Sequence, residues 1–377
     1  MATHPVVVHG PSGYTGMLII DWLIDQRIPF TATGRSAERI EQNMRERVVR
    51  LESAEYEVIE VDHDVDALTK AWSGATVVCN TVGPFVDYGL IGVEAALRAG
   101  CHHLDTTGEQ SYIIEARDQF GADYAKANLV CAPSTSYMYA IAEIAAELAL
   151  QTPGVDQLET VSICRVPREA AGVSLGSAAS IFQLLRTAQY HLWDNEMIAH
   201  TPGHGIEVSV PEYIRPAFAL PWGGTSLPAF YQHDHRVRYC DSYVSFYDNQ
   251  IMRMVADLGT KWEAEYKDLP ADQQEAILAQ LVASTTPTMP PRERTTMQRS
   301  TDIAVGRGPL TSVRARVNSV TPYITTGALQ VACAEKLLAG EFASAGVTSA
   351  CKAFGHNYLL GFLEQRGLAK ATVTEEN

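Results

Sequence analysis

The sequence predicts an α/β protein, a doubly wound parallel sheet of the Rossmann type carrying a second, α+β substrate domain. Three observations predict it. The apolar run Val6-Val7-Val8 breaks into Gly10-Pro11-Ser12-Gly13-Tyr14-Thr15-Gly16, and Met17, Leu18, Trp22 and Leu23 then follow at helical spacing. Strand-like and helix-like segments alternate through the first third of the chain, the pattern of a parallel sheet with crossover helices. After a helix over 137–150 that pattern changes, and residues 200–247 become rich in proline, glycine, aromatics and histidine.

Three glycines at spacing three between a strand and a helix are what a dinucleotide fold uses at its first turn. Gly10 permits the tight turn, Gly13 lets the backbone approach a pyrophosphate, and Gly16 lets helix and strand pack closely. The backbone from Ser12 through Tyr14 and Thr15 then turns its amides, and the helix dipole, toward the phosphates. The next strand, Pro29-Phe30-Thr31-Ala32-Thr33, ends in Gly34-Arg35-Ser36, with Arg39 one helical turn later. NAD-binding folds place a carboxylate at that strand end to hold the ribose 2′-hydroxyl. A guanidinium there matches a phosphate in shape and charge, so the expected cofactor is NADP(H). Ser36 is expected to cap the following helix and to leave its start as a further anion site.

The remaining elements follow in order. Residues 36–50 read as a charged helix. Glu57-Val58-Ile59-Glu60-Val61 alternates as a strand and closes on Asp62-His63, where an adenine lies in such folds, and 64–72 is a helix. Thr76-Val77-Val78-Cys79-Asn80 is a buried strand ending in Thr81-Val82-Gly83-Pro84-Phe85. A helix over 88–99 leads to the strand Cys101-His102-His103-Leu104-Asp105 and the loop Thr106-Thr107-Gly108-Glu109. A helix and the strand Leu129-Val130-Cys131 complete the unit. Ligands in doubly wound sheets bind at the carboxyl ends of the strands, so the loops after Val8, Thr33, Asn80, Asp105 and Cys131 should line one crevice. Beyond a helix over 137–150, strands are expected at 160–166, 236–239, 243–247 and 312–320. Helices are expected at 174–193, 249–266, 271–283 and 326–338, with a polar surface loop at 284–301.

Composition narrows the function. A formal charge of −15 opposes binding to nucleic acid or to an anionic membrane surface. Seven cysteines show no paired-ligand spacing, which reads as reduced and structural, and no apolar run reaches membrane-spanning length. The amino terminus enters a core strand at once, leaving no room for a signal peptide. The expected setting is the cytoplasm, and the expected partners are a small-molecule substrate and a second copy of the chain in a homodimer.

These motifs resemble the saccharopine dehydrogenase-like oxidoreductases, and within them the branch of trans-acting enoyl reductases. The opening Gly-Pro-Ser-Gly-Tyr-Thr-Gly is similar to that family's Gly-Ala-Thr-Gly-Phe-Thr-Gly, and Gly34-Arg35-Ser36 to its Gly-Arg-Asn or Gly-Arg-Ser. Asn80-Thr81-Val82-Gly83-Pro84-Phe85 with Tyr88-Gly89, and Asp105-Thr106-Thr107-Gly108-Glu109, resemble its fourth- and fifth-strand motifs. Ser174-Leu175-Gly176-Ser177 resembles the start of its second domain's helix. The similarity is dense over 1–145 and thin across 195–310. It implies a nucleotide domain of 1–136 to which 340–377 returns, a substrate and dimerisation domain of 137–339, and hydride transfer with NADPH. The chain departs from the family at Pro11, which removes one amide near the phosphates, and at Cys131-Ala132-Pro133-Ser134-Thr135-Ser136-Tyr137, beside the expected nicotinamide site.

Hydride delivery to an enone or a carbonyl leaves negative charge on oxygen, which a proton or hydrogen-bond donor must meet. Tyr137, Tyr88, Ser134 and Ser177 are the candidates expected to face the crevice, with Tyr137 first; an aromatic packing the domain junction is the competing role for Tyr137. Thr107 and Gly108 join the cofactor-binding set, and Glu109 can bond a backbone or the nicotinamide amide, or cap the helix it opens. His233-Asp234-His235 would put two imidazoles on one strand face, but no third ligand stands at a sensible distance, so no metal is expected. The favoured activity is reduction of an apolar or aromatic conjugated C=C. The alternatives are amino-acid or imine chemistry, with Arg165, Arg168 and Arg186 as the nearby cations, and a cofactor-sensing protein without turnover.

Overall fold

The structure, a computed structural model, describes residues 1–165, 174–210, 213–223, 225–246, 248–284, 292–296 and 299–375. In the first sheet, β1 (Val6–His9), β2 (Phe30–Gly34), β3 (Tyr56–Glu60), β4 (Val77–Asn80), β5 (His102–Asp105) and β6 (Val130–Ala132) alternate with α1 (Tyr14–Asp25), α2 (Ala37–Arg47), α3 (Val65–Trp72), α4 (Phe85–Ala99) and α5 (Gln110–Lys126). All these strands pair in parallel, in the order β6-β5-β4-β1-β2-β3. β1 and β4 are buried along their whole length, which is why they read as continuous apolar runs rather than alternating ones. The strand order reverses between β1 and β4, and the carboxyl ends of the strands at such a reversal are where doubly wound sheets form their ligand crevice.

The second sheet is mixed. After α6 (Tyr137–Leu150) come β7 (Gln157–Arg165), α7 (Leu175–Gln183), β8 (Tyr190–Trp193), β9 (Glu196–Ala199), β10 (Ile206–Val208), β11 (Ala217–Ala219), α8 (Leu227–Tyr231), β12 (Tyr239–Ser245), α9 (Asn249–Lys261), α10 (Ala271–Ser284), β13 (Arg299–Gly308) and β14 (Thr311–Ser319). The chain ends with α11 (Pro322–Leu338), β15 (Gly346–Val347), α12 (Ala350–Phe354), α13 (His356–Gln365) and β16 (Ala369–Glu375). The sheet order is β16-β14-β13-β7-β12-β8-β9, and β10 and β11 form a separate antiparallel pair.

Two helices join the sheets. α6 is buried on nearly every face and packs on β13 and β14, while α11 packs on α1 and α6; a helix apolar all round is a core helix. Gly327 of α11 lies so close to α1 that a Cβ there would stand 2.8 Å from the Leu18 carbonyl oxygen. One turn away the Trp22 indole donates to the Ile324 carbonyl at 3.0 Å. Among the described residues no helix is long and apolar enough to cross a membrane, and all seven cysteines are buried as free thiols.

Several elements differ from the sequence reading. The helix expected over 174–193 ends at Gln183, and β8 and β9 follow as a hairpin. Its two-residue turn, Asp194-Asn195, has both residues at positive φ, the backbone such hairpins need and one that Asp and Asn tolerate. The two short strands expected at 236–239 and 243–247 are one strand, β12, preceded by a turn that carries His233-Asp234-His235, so those imidazoles do not share a strand face. Asp234 instead takes Arg236 and Lys352 as ion-pair partners. The last stretch serves both sheets. β15 extends the first beside β6, whereas β16 pairs with β14 and covers an edge whose amides would otherwise be open.

The junction holds buried acids. Glu143 of α6 accepts hydrogen bonds from the Ser349 hydroxyl and, at 3.3 Å, from the Cys351 amide, yet burial pushes its carboxyl up to about 7. Burial raises Asp302, beneath Ser162 and Ser300, to about 7 as well. The folded state therefore holds protons that the unfolded chain releases between about pH 4.5 and 7, so this contribution is complete at low pH and is lost as pH rises through 7. Buried His9 and His103, both lowered to about 3 by burial, act in the opposite direction below pH 6.5. The clean quantity is thus a difference between proteins. Between pH 5 and pH 8, Glu143→Gln should gain roughly 2–3 kcal/mol in urea-unfolding stability relative to wild type; a difference that does not change with pH contradicts the buried-acid account.

Candidate active site

The crevice begins at the turn after β1. Gly10 has φ +87°, and a Cβ there would stand 2.7 Å from Thr81 Oγ1, so the turn presses on the loop after β4. Thr81 returns the contact by donating its hydroxyl toward the carbonyls of His9 and Gly10, at 3.0 and 3.1 Å. Gly13 caps α1 with backbone only; no side chain caps the helix and no acid stands in its first turn. A Cβ on Gly16 would overlap the Gly10 carbonyl oxygen and lie 2.8 Å from Pro11 Cα, and only glycine allows that approach. The arrangement leaves an uncapped, positive helix start aimed into the crevice.

At the tip of β2, Arg35 and Arg39 are both exposed, and neither forms an ion pair among the described residues. Ser36 caps α2 as expected, its hydroxyl accepting from the Arg39 amide at 3.2 Å. The helix start is not left open, however. Glu60, register partner of Gly34 at the end of β3, accepts the Ala37 amide at 2.9 Å. Asp62 is exposed beyond it. His63 lies on a hydrogen-bonded row. The Tyr88 carbonyl can only accept, so His63 Nε2 donates to it (3.0 Å), and His63 Nδ1 stands 3.0 Å from His9 Nε2. Thr33 Oγ1 lies 2.9 Å from His9 Nδ1 and accepts the Trp72 indole at 3.3 Å. The row ties the loop after β3 to α4.

The loops after β4 and β5 lock each other. Asn80 is fully buried and its Oδ1 accepts the Val82 amide at 2.9 Å, shaping the Thr81–Pro84 turn from beneath. Glu109 does not cap the helix it precedes. Its carboxyl reaches α4, accepting the Phe85 amide at 3.1 Å and the Val86 amide at 2.6 Å, with the Ser180 hydroxyl as a third partner. Burial nonetheless pushes it up to about 7. Thr107 closes the loop, accepting the Glu109 amide at 3.1 Å while its own amide donates to Asp105. The Tyr139 hydroxyl lies directly against Gly108. Gln330 of α11 donates to the carbonyls of Asp105 and Thr135, at 3.0 and 2.7 Å, and so pins the loops after β5 and β6 together.

The hydroxyls singled out in the sequence fall in three places. Tyr137 is 2 % exposed, its ring turned under the second sheet beside Cys164 and Ser300. Ser134 is also 2 % exposed, at φ +60°. Tyr88 is 46 % exposed, edge-on to His63 at the far end of the crevice. Ser177 stands on α7, which lies over the loop after β4: a Cβ on Gly83 would be 3.1 Å from Ser180 Oγ. Ser177 Oγ is 2.9 Å from the hydroxyl of Tyr323, and that hydroxyl accepts the Ser174 amide at 2.8 Å. Tyr323 meets Tyr14 of α1 edge to face at 5.2 Å. Sequence reasoning missed Tyr323 because it lies about 150 residues from Ser177 and just ahead of the helix expected over 326–338.

These residues fit a dinucleotide. The uncapped start of α1, the Gly16 approach and the two guanidiniums without ion pairs supply, respectively, donors, room and positive charge for phosphates. Solved structures share the architecture. Saccharopine dehydrogenase (L-Glu forming) of Saccharomyces cerevisiae superposes with a TM-score of 0.64 over 98% of this chain and 100% of its own, at 13% identity, and so shares the fold. A trans-acting enoyl reductase of Mycobacterium ulcerans is 28% identical over 194 residues, 48% of this chain and 45% of that protein. A saccharopine dehydrogenase-like oxidoreductase of Homo sapiens is 29% identical over 121 residues, 29% of this chain and 28% of that protein. The matches span less than half the length of these curated relatives. With homologues that carry those names, a shared fold, and a match over residues 140–377 to the family described as a family of unknown function (DUF5938), the chain belongs to that family.

Proposed function

We propose that the chain is an NADPH-dependent reductase acting on an apolar or aromatic unsaturated small molecule, with a conjugated C=C as the reducible bond. The observation that carries this reading is the uncapped start of α1 under the Gly10 turn, with Arg35 and Arg39 exposed at the neighbouring strand tip. The mycobacterial relative's name, trans-acting enoyl reductase, supports the choice of bond. An amino-diacid substrate would need free cations. Arg186 faces Asp87 at 3.9 Å, Arg165 is the last residue of β7, and Arg168 lies outside the described residues. The reading includes a homodimer working in the cytoplasm, and the charge of −15 argues against a nucleic-acid partner.

When bound, the nicotinamide supplies the hydride. The chain's residues position, shield and balance charge. Arg35 and Arg39 hold the 2′-phosphate, and the amides of α1 hold the pyrophosphate. The loop Val82–Phe85, braced by Glu109, borders the reacting end, and α7 covers it through Ser180 and keeps water out. Charge arriving on the acceptor oxygen is met by the Ser177–Tyr323 hydroxyl pair. The Ser174 amide and the Ser177 hydroxyl can both donate to the Tyr323 oxygen, which stabilises it as its proton leaves. In this scheme Tyr137 supports the domain junction and Tyr88 borders the adenosine end.

Two outcomes test the scheme. Arg35→Ala should weaken NADPH binding roughly 10- to 100-fold in a fluorescence titration while NADH affinity stays within about threefold; equal effects on both, or none, overturn the NADPH reading. Tyr323→Phe keeps the ring contact with Tyr14 and removes the hydroxyl. Reduction of benzylideneacetone by NADPH should fall about 100-fold or more, with NADPH affinity within about twofold of wild type; an unchanged rate would remove Tyr323 from the chemistry.

A further inference from the structure

The tip of β2 carries two opposed instructions. Arg35 and Arg39 present guanidiniums, exposed and without ion pairs among the described residues, where the 2′ position of an adenosine is read in this fold class. Glu60 presents a carboxylate at the same corner. Register places it directly beside Gly34, the residue before Arg35, and the Val61 amide donates to the Gly34 carbonyl at 2.9 Å, so the two strand ends are held together. Its Oε2 accepts the Ala37 amide at 2.9 Å. Glu60 is exposed, so it rests on that amide without being packed there.

We propose that Glu60 sets the cofactor preference of this site by occupying the anion seat at the start of α2. The inference rests on the dinucleotide reading above and deepens it. A phosphate and a carboxylate cannot both take the one Ala37 N–H, and their charges repel at the distances this corner allows. A ribose diol makes no such conflict, because a carboxylate accepts hydroxyl hydrogens. Glu60 therefore disfavours the 2′-phosphate and favours the unphosphorylated ribose, while the two arginines pull the other way. The outcome is a site whose preference for NADPH is held well below what Arg35 and Arg39 alone would give. The acidic residue acts from the end of the third strand instead of the second, which is why a reading confined to the second strand's end finds only arginine.

The test is a matched set of fluorescence titrations of the full chain with NADPH and with NADH. Wild type, Glu60→Gln and Glu60→Ala are compared. Glutamine keeps an oxygen for the Ala37 amide and removes the charge; alanine removes both. Both variants should shift the NADPH-to-NADH affinity ratio toward NADPH by about 10-fold or more, and Glu60→Ala should also weaken NADH by roughly threefold. Circular dichroism of both variants should match wild type, since the side chain is on the surface. If wild type binds NADPH and the ratio in both variants stays within twofold of its value, the Glu60 inference fails and the function reading stands. If wild type binds neither nucleotide, the function reading fails and takes the inference with it.

Discussion

The whole crevice depends on one backbone contact, Gly16 of α1 lying over the Gly10 carbonyl oxygen. With any side chain at that point, α1 could not start so close to β1. Its uncapped amides would then stand away from the loop after β4, and Thr81 could not stitch the two loops through His9 and Gly10. The exposed positive end of α1 favours an anion over the water that otherwise satisfies its amides, and no side chain supplies one. That unanswered end is the reason to read the crevice as a phosphate seat rather than as a gap between domains.

The second domain contributes by bracing and by covering. α11 touches both jobs. Its Gln330 fixes the loops after β5 and β6, its Thr326 accepts the Tyr137 amide, and its first turn brings Tyr323 to Ser177. Glu293 caps that first turn by accepting the Tyr323 and Ile324 amides, at 3.0 and 2.9 Å. A side chain fixed through its backbone by Glu293, with its hydroxyl held by Ser177 and the Ser174 amide, is positioned in advance, which is what charge stabilisation in the proposed reaction requires.

Much of the first domain was legible because its signals are local. A glycine spacing, an apolar run and a strand-end arginine each lie within ten residues, and the alternation of strand and helix carries the topology. The site loops were legible as segments but not as contacts. That Glu109 would cap α4 rather than its own helix depends on how the loop after β5 folds back, and no sequence period encodes it. Glu60 was read only as part of a strand, because its meaning comes from register with Gly34. In the second domain the Asp194-Asn195 turn was a visible hairpin signal, outweighed by the helical pattern of the residues before it. The merging of two short strands into β12, and the departure of β16 to the second sheet, were settled by long-range pairing.

The most direct test of the phosphate seat is amide hydrogen exchange of the full chain with and without saturating NADPH, resolved by peptide. The account predicts slowed exchange in peptides covering residues 10–17, 34–39 and 81–86, with the α8–β12 region unchanged. No slowing at residues 10–17, or slowing centred on the second sheet instead, would contradict it.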